Sequence, residues 1–388
     1  MLHLPITSGQ RAELFHVLRG GDGRVTARGR AEILTSDHRV VSNLSGWLVD
    51  GQVEIDTTAE VTRTATCTIL DPDGRAGLDS ASVTDTSVRI DRFLRLRRDY
   101  WLPSHEMWVS VPLFTGPVSG VERTGDTITV SAQGKESLAL GPVWTPLSWG
   151  KTTRRVQVIE DLMAKGAGEW AFSLPPGWRQ QLGKTKNVPR VIGDEQFTPW
   201  KQATWMAASL SAQLFYDARG VLRLRKRPVQ SAWTFTASEI AGRVQVQERT
   251  KDIINQVIVT GGIPKGGKKP ITWSEPLPDY HPWSPWALGR RGVPRRIIEE
   301  IEDETLVTRK AAVAAAKRRL REHATTTADI TFDALPMPLL EPHDLYRVDA
   351  GDVAQSSRLT RATVPVHGDL MSVGAVRVYR PTRRRSRR

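Results

Sequence analysis

Thr198-Pro-Trp-Lys-Gln-Ala-Thr-Trp-Met-Ala-Ala-Ser-Leu-Ser-Ala-Gln-Leu-Phe-Tyr-Asp-Ala-Arg-Gly-Val-Leu-Arg-Leu-Arg-Lys-Arg-Pro228 compresses a helix, a turn and a strand into one run. Thr198 is suited to cap a helix whose first position is Pro199, and Trp200, Ala203, Ala207, Leu210 and Leu214 then recur on one helical face. Phe215 and Tyr216 lead into Asp217-Ala-Arg-Gly220, a turn ending in the residue best able to take positive φ. Val221, Leu222 and Leu224 follow among arginines as a short strand. The expected product is a helix packed on a hairpin. It binds no obvious cofactor and holds no obvious nucleophile, so it reads as scaffold.

Upstream, from Gly29 to about Ala139, the pattern is almost entirely β. Arg30–Leu34, Gly51–Ile55, Ala65–Leu70, Val88–Ile90, Met107–Phe114 and Thr127–Ser131 are short β-favouring runs, with Asp71-Pro-Asp-Gly74 and Arg123-Thr-Gly-Asp126 as turns. Such a string predicts an antiparallel barrel or sandwich. After Leu140, Thr153 is expected to cap a helix carrying Val156, Ile159, Leu162 and Met163, ended by Gly166 to Gly168. Glu169 to Gly193, rich in Pro, Gly and Trp, suggests a surface excursion.

Downstream, Ala232–Phe235, Arg243–Gln247 and the run from Asn255 to Gly261 predict strands. An insertion over 263–296 carries seven prolines together with Trp273, Trp283 and Trp286, and at this density regular pairing is not expected. Exposed tryptophans point to an interface, either with a neighbouring subunit or with the same domain. The acidic stretch from Glu299 to Glu304 reads as a solvated lead into a helix over 305–324 capped by Thr305, with Leu306, Val313, Ala316 and Leu320 on one face. Thr327–Phe332, Leu345–Val348, Ser357–Thr363 and Val373–Tyr379 predict the last strands, with Leu340-Glu-Pro-His-Asp344 as a turn.

The 388 residues suffice for two to four domains, and 39% hydrophobic content with 13 Trp argues for folded domains rather than disorder. Mean hydropathy of −0.35, without any long uncharged apolar run, predicts no membrane span. The N-terminal residues lack the pattern of a secretory signal, so synthesis and folding in a cytoplasm are expected. Cys67 is the only cysteine, which leaves no intrachain disulfide and no thiolate zinc site and makes a core role the natural reading.

A net charge of +13 suits nucleic acid, an acidic protein neighbour or a crowded assembly. Much of it is local. Arg92, Arg95 and Arg97 alternate with Phe93, Leu94 and Leu96 as one charged strand face, a candidate interface with an acidic subunit or with phosphates. Arg383, Arg384, Arg385, Arg387 and Arg388 form a tail suited to nonspecific nucleic-acid contact or to solubilisation.

Gly262-Ile-Pro-Lys-Gly-Gly-Lys-Lys269 matches most of a phosphate-binding loop but lacks the Ser or Thr for magnesium, and Pro270 stands where a helix must begin. A basic loop is the better reading. The eight histidines are scattered without His-x-x-x-His, and no Gly-x-Ser-x-Gly occurs. No catalytic, cofactor-binding or metal residue is therefore assigned, and no cofactor is expected.

The residues of Val53–Gly74, Val111–Val118, Trp205–Leu224 and Asn255–Gly261, taken in that order, resemble the tail hub and baseplate hub proteins of tailed phages and related contractile particles. The closest resemblance is to minor tail proteins of actinobacterial siphophages, and it spans roughly Arg30 to Tyr379. The resemblance implies an α+β, mainly β architecture in which two barrel-like β domains flank a smaller α+β domain. The corresponding boundaries are an arm 1–29, a first hub domain 30–140, a middle domain 141–231, a second hub domain 232–380 and the Arg-rich tail 381–388.

It further implies a non-enzymatic homotrimer that adapts a hexameric tail end to tip, receptor-binding or cell-puncturing parts. The implied partners are a distal tail ring protein, the tape-measure protein, a tip or fibre protein and, transiently, phage DNA. The implied location is the distal tail tip of a virion assembled in the host cytoplasm. Because the chain stops soon after the second hub domain, wall cleavage is expected of another chain. The competing readings are a tail-associated peptidoglycan hydrolase and a nonspecific nucleic-acid-binding protein.

Overall fold

The computed structural model describes residues 1–21, 25–72, 88, 91–142, 147–150, 152–181, 198–248, 253–303, 306–324, 326–351, 353–368 and 370–378. In chain order the elements are α1 (Ser8–Leu18), β1 (Ala27–Leu34), β2 (Val40–Asn43), β3 (Leu48–Asp56), β4 (Arg63–Leu70), β5 (Phe93–Leu102), β6 (Met107–Thr124) and β7 (Thr127–Gln133). Then come α2 (Arg155–Ala167), β8 (Phe172–Ser173), α3 (Trp178–Gln181), α4 (Pro199–Ser209), β9 (Ala212–Tyr216), β10 (Leu222–Lys226), β11 (Trp233–Thr236) and β12 (Ile240–Glu248). The chain finishes with β13 (Gln256–Gly261), β14 (Thr272–Pro276), α5 (Pro285–Leu288), β15 (Ile298–Asp303), α6 (Arg309–Ala324), β16 (Thr326–Ala334), β17 (Leu345–Ala350), β18 (Val353–Pro365) and β19 (Met371–Val378). The protein is mainly β, with few helices and a large antiparallel sheet. Two compact units are present: Met1–Val244 with Phe332–Asp352 and Leu359–Gly374, and Gln245–Thr331 with Val353–Arg358 and Ala375–Arg388.

In the first unit, neighbouring strands run in the order β2-β1-β5-β6-β7-β4-β3, and β3 pairs with Arg361–Pro365 of β18. Alternation in the sequence becomes alternation in burial: Ala65, Cys67 and Ile69 of β4 and Ile128, Val130 and Ala132 of β7 all point inward. Burial pushes the Cys67 thiol up to about 12, so it behaves as a small core side chain.

β6 is longer than its apolar run predicts. Its first part pairs with β5 and its second with β7, and at the changeover a side chain on Gly116 would collide with the Gln133 carbonyl. Of the expected barrel or sandwich, the described strands show an antiparallel ladder ending at β2, with no closed barrel among them. β5 carries Arg95 and Arg97 where a charged strand face is expected, and it continues past them through Arg98 to Leu102. Of the expected strand at Val88–Ile90, Val88 is buried outside any strand, and the next two residues lie outside the described set.

The helix-hairpin unit forms, with a shorter helix than its spacing implies. Thr198 accepts a hydrogen bond from the Lys201 amide at 3.3 Å, and Pro199 occupies the first turn. The helix stops at Ser209, and Ser211 adopts φ 56°, so Leu214 sits on β9 rather than on the helical face. Gly220, at φ 72°, closes the turn into β10, which starts at Leu222.

α2 and α4 pack together over β9 and β10, burying Val156, Ile159, Leu162 and Met163 against Trp200, Ala203, Leu214 and Tyr216. Each large apolar side chain buried there contributes roughly 1.5–3 kcal/mol. Arg154, in extended conformation and without a side-chain cap, precedes α2, so Thr153 does not cap it. Gly168 ends the helix at φ 61°, as expected. α1 is also unforeseen: Thr7 and Gln10 form a capping box at 3.3 and 2.9 Å, a polar signal that apolar spacing does not reveal.

The second unit contains the three-stranded sheet β14-β13-β15, with α6 packed on β13 and β14. Prolines do not prevent pairing here. They stand outside or at the end of β14, which matches Thr260–Gln256 of β13 from Thr272 to Pro276. Nor is the acidic stretch a helix lead. Ile298–Asp303 pairs in parallel with β13, whose second edge is open to it, although only Ile298 and Ile301 of its six residues are apolar. Ala312, Ala316 and Leu320 of α6 meet Val257 and Val259, while Thr308 accepts from the Ala311 amide. Thr305 lies outside the described residues.

Candidate interaction surfaces

The arginine strand face is neutralised locally. Antiparallel pairing of β1 and β5 places Glu32 opposite Arg95, and Glu32 lies 3.2 Å from Arg30, 3.4 Å from Arg95 and 3.9 Å from Arg97. Asp99 takes Arg28 at 3.1 Å and Arg30 at 3.6 Å. Burial and the neighbouring Arg97 lower the Arg95 guanidinium, with Glu32 opposing them. Arg98 points the other way, into the protein, and donates to the carbonyls of Pro365 and Gly368 at 3.1 and 2.6 Å. Arg92 is half-buried beside the start of β5.

A second polar assembly is buried. Arg63, 4% exposed, donates to the Leu113 carbonyl at 2.6 Å and to Glu341, 2% exposed, at 2.9 Å. Glu341 also accepts from the Ala218 amide, Asp344 holds Arg225 at 2.9 Å, and Asp217 accepts from Arg223 at 2.6 Å. Lys135 joins Glu169 at 2.5 Å and reaches the Gly220 carbonyl. The turn that closes the helix-hairpin unit is thus fastened by residues from β4, from the segment after β7 and from the Leu340–Asp344 turn. Burial raises both Glu136 and Glu341 to about 7, against the lowering pull of Arg63. Through Arg63 and the Ala218 amide, Glu341 joins three segments of the chain, and it also lines a cavity with Phe215, Arg223 and Arg225.

The three tryptophans of the insertion occupy different surroundings within the second unit. Trp273 packs beneath α6, donates to Glu275 at 2.8 Å and is stacked by Arg309 at 4.7 Å. Trp283 is half-buried beside His281, with ring centroids 5.1 Å apart. Trp286 is 55% exposed on a hairpin that also exposes Val293, and Tyr280 ahead of it is exposed as well. The Gly262–Lys269 loop turns through a Gly267 amide bond to the Pro264 carbonyl and continues into a strand rather than a helix. Arg383, Arg384, Arg385, Arg387 and Arg388 lie outside the described residues. Among the described residues no cluster of three or more His, Cys, Asp or Glu is placed to hold a metal, and no helix is long and apolar enough to cross a membrane.

No protein-family model and no curated protein matches the sequence. Solved structures do. The tail protein from Neisseria meningitidis MC58 aligns at a TM-score of 0.61 and 10% identity, over 90% of this chain and 96% of that one. The 43 kDa tail protein of prophage MuSo2 from Shewanella oneidensis aligns at 0.61 and 12% identity, over 91% and 98%. The chain has the fold of phage tail proteins. Prophage tail protein gp18 from Listeria monocytogenes EGD-e extends the likeness, at a TM-score of 0.54 and 7% identity over 89% and 94%. The match in total length matters as much as the score, because it runs through both compact units rather than one shared module.

Proposed function

We propose that this chain is a structural tail hub protein, of the kind found among siphophage minor tail proteins, working as a homotrimer at the distal tail tip. The observation that carries this reading is the near end-to-end fold likeness to tail proteins of similar length. In this proposal the regions 30–140 and 232–380 each supply a β module to a ring, with 141–231 between them. Three copies then offer six β surfaces to a sixfold tail ring, while tape-measure and tip or fibre proteins occupy the remaining faces. Permanent rings of this kind need rigid, extensive surfaces, which sheets locked by buried ion pairs provide.

Mass measurement on the purified chain, alone and with its neighbouring tail proteins, tests the proposal. A species of three 43.2 kDa chains is expected. A monomer under all these conditions at high concentration overturns it. A lytic band from the chain alone in cell-wall zymography would replace it with the hydrolase reading.

A further inference from the structure

We infer that the exposed hairpin Pro285–Arg296 of one copy docks on the uncovered face of the β14-β13-β15 sheet of a second copy, its arginines against Glu300 and Glu302. The inference rests on the reading of the chain as a self-associating tail component and names the contact.

The hairpin is built to hold a shape. Ser284 caps α5 through the Ala287 amide at 3.1 Å, and the Arg295 amide returns to the Pro285 carbonyl at 2.9 Å. Arg290 and Val293 form a bridge across Arg291 and Gly292, whose φ values of 53° and 78° suit a tight hairpin turn of the primed kind. Asn255 anchors the far end, bonding the Arg295 carbonyl at 2.8 Å and the Ile297 amide at 2.7 Å. Trp286 and Val293, 55% and 67% exposed, are therefore presented in fixed positions, and docking them costs little further conformational entropy.

The charges are unmatched in a complementary way. Residues 285–296 contain four arginines and no acid, and Arg290, Arg291, Arg295 and Arg296 are exposed without an ion pair among the described residues. The sheet has two unlike faces. Toward α6, Glu299 meets Arg319 at 2.7 Å and Glu275 meets Lys317 at 3.7 Å. On the opposite face, the register sets Ile258 beside Ser274 and Glu300, and Thr260 beside Thr272 and Glu302. Glu300 and Glu302 are exposed there without an ion pair among the described residues, next to Ile298 at 45% exposure.

One copy thus carries a basic, aromatic projection and an acidic, partly apolar sheet face, neither satisfied within its own unit. Arg and Trp are the side chains that most often anchor protein interfaces, whereas an aliphatic Val293 beside them gains nothing from stacked bases. The contact joins two different patches, so it is heterologous and closes into a ring when the rotation allows.

Sedimentation of the full chain tests this. Arg290→Glu with Arg291→Glu should raise the concentration at which the assembly dissociates by about tenfold or more, and Glu300→Arg with Glu302→Arg should do the same. Combining the four changes should bring it back to within about threefold of the wild type, the mark of a direct coupling. All four sites are exposed, and unchanged thermal melts establish that the variants fold. Trp286→Ala gives a charge-neutral check and should weaken assembly in the same direction. Failure of the combined variant to recover overturns the inference. An oligomer indifferent to Arg290→Glu with Arg291→Glu overturns this contact and leaves the trimeric hub standing, while a monomeric wild type removes both. Loss of binding to another tail protein with self-association intact would assign the hairpin to a foreign acidic partner and also overturn the inference.

Discussion

The arginines of the first unit and those of the second unit's hairpin look alike in sequence and differ in what surrounds them. Arg30, Arg95 and Arg97 share Glu32, and Arg63 is sealed against Glu341. Arg290, Arg291, Arg295 and Arg296 meet no acid among the described residues. Clustering of basic residues therefore says little about a binding surface until the pairing strand is known. Charges opposed by a neighbour within the fold contribute to cohesion, whereas unopposed ones on a rigid projection remain available to a partner.

The largest break in that comparison is expected at Arg63. Arg63→Ala removes the buried guanidinium from both Glu341, which keeps only the Ala218 amide, and the Leu113 carbonyl, and denaturant titration should show a loss of about 3–5 kcal/mol. A loss below about 1 kcal/mol would place the cohesion elsewhere.

Next is the pH dependence carried by Glu136. Its carboxyl is raised from 4.5 to about 7 in the folded protein, chiefly by burial, so over that window the native state holds a proton that the unfolded state has released. Stability from this group is therefore greatest at the acid end and falls as pH rises from about 4.5 through 7, by on the order of 3 kcal/mol. Glu136→Gln should flatten this decline, gaining on the wild type between pH 5 and pH 8 in melting experiments. Parallel curves for the two proteins would show that Glu136 stays ionised throughout.

The smallest effect sharpens the contrast most directly. Glu32→Gln should cost about 1–3 kcal/mol by stripping three arginines of their shared acceptor. Arg290→Glu with Arg291→Glu should leave folding stability within about 0.5 kcal/mol. Equal destabilisation by the two variants would erase the distinction between the regions.

Short-range chemistry explains why the helix-hairpin unit is legible in sequence. Thr198 before Pro199, apolar residues at helical spacing and Gly220 at a positive-φ turn all act within a few residues of one another. The end of that helix is less legible, since Leu210 and Leu214 continue the spacing that Ser211 interrupts. β14 and β15 escape detection because one contains tryptophan and proline and the other is mostly acidic, and each becomes a strand by pairing with β13. For the candidate surfaces, the three tryptophans are equivalent as letters. Burial against α6 for Trp273 follows from the helix packed on its strand, and exposure for Trp286 from its place on α5 outside the sheet.

Local propensity and turn chemistry in the chain were enough to specify a mainly β protein with a capped helix feeding a hairpin, a buried lone cysteine and a basic surplus. They could not specify which charges cancel, where the sheet ends or which face of it stays bare. Those outcomes depend on strand register, and register joins residues such as Glu32 and Arg95 that stand 63 positions apart, beyond the reach of any window of sequence.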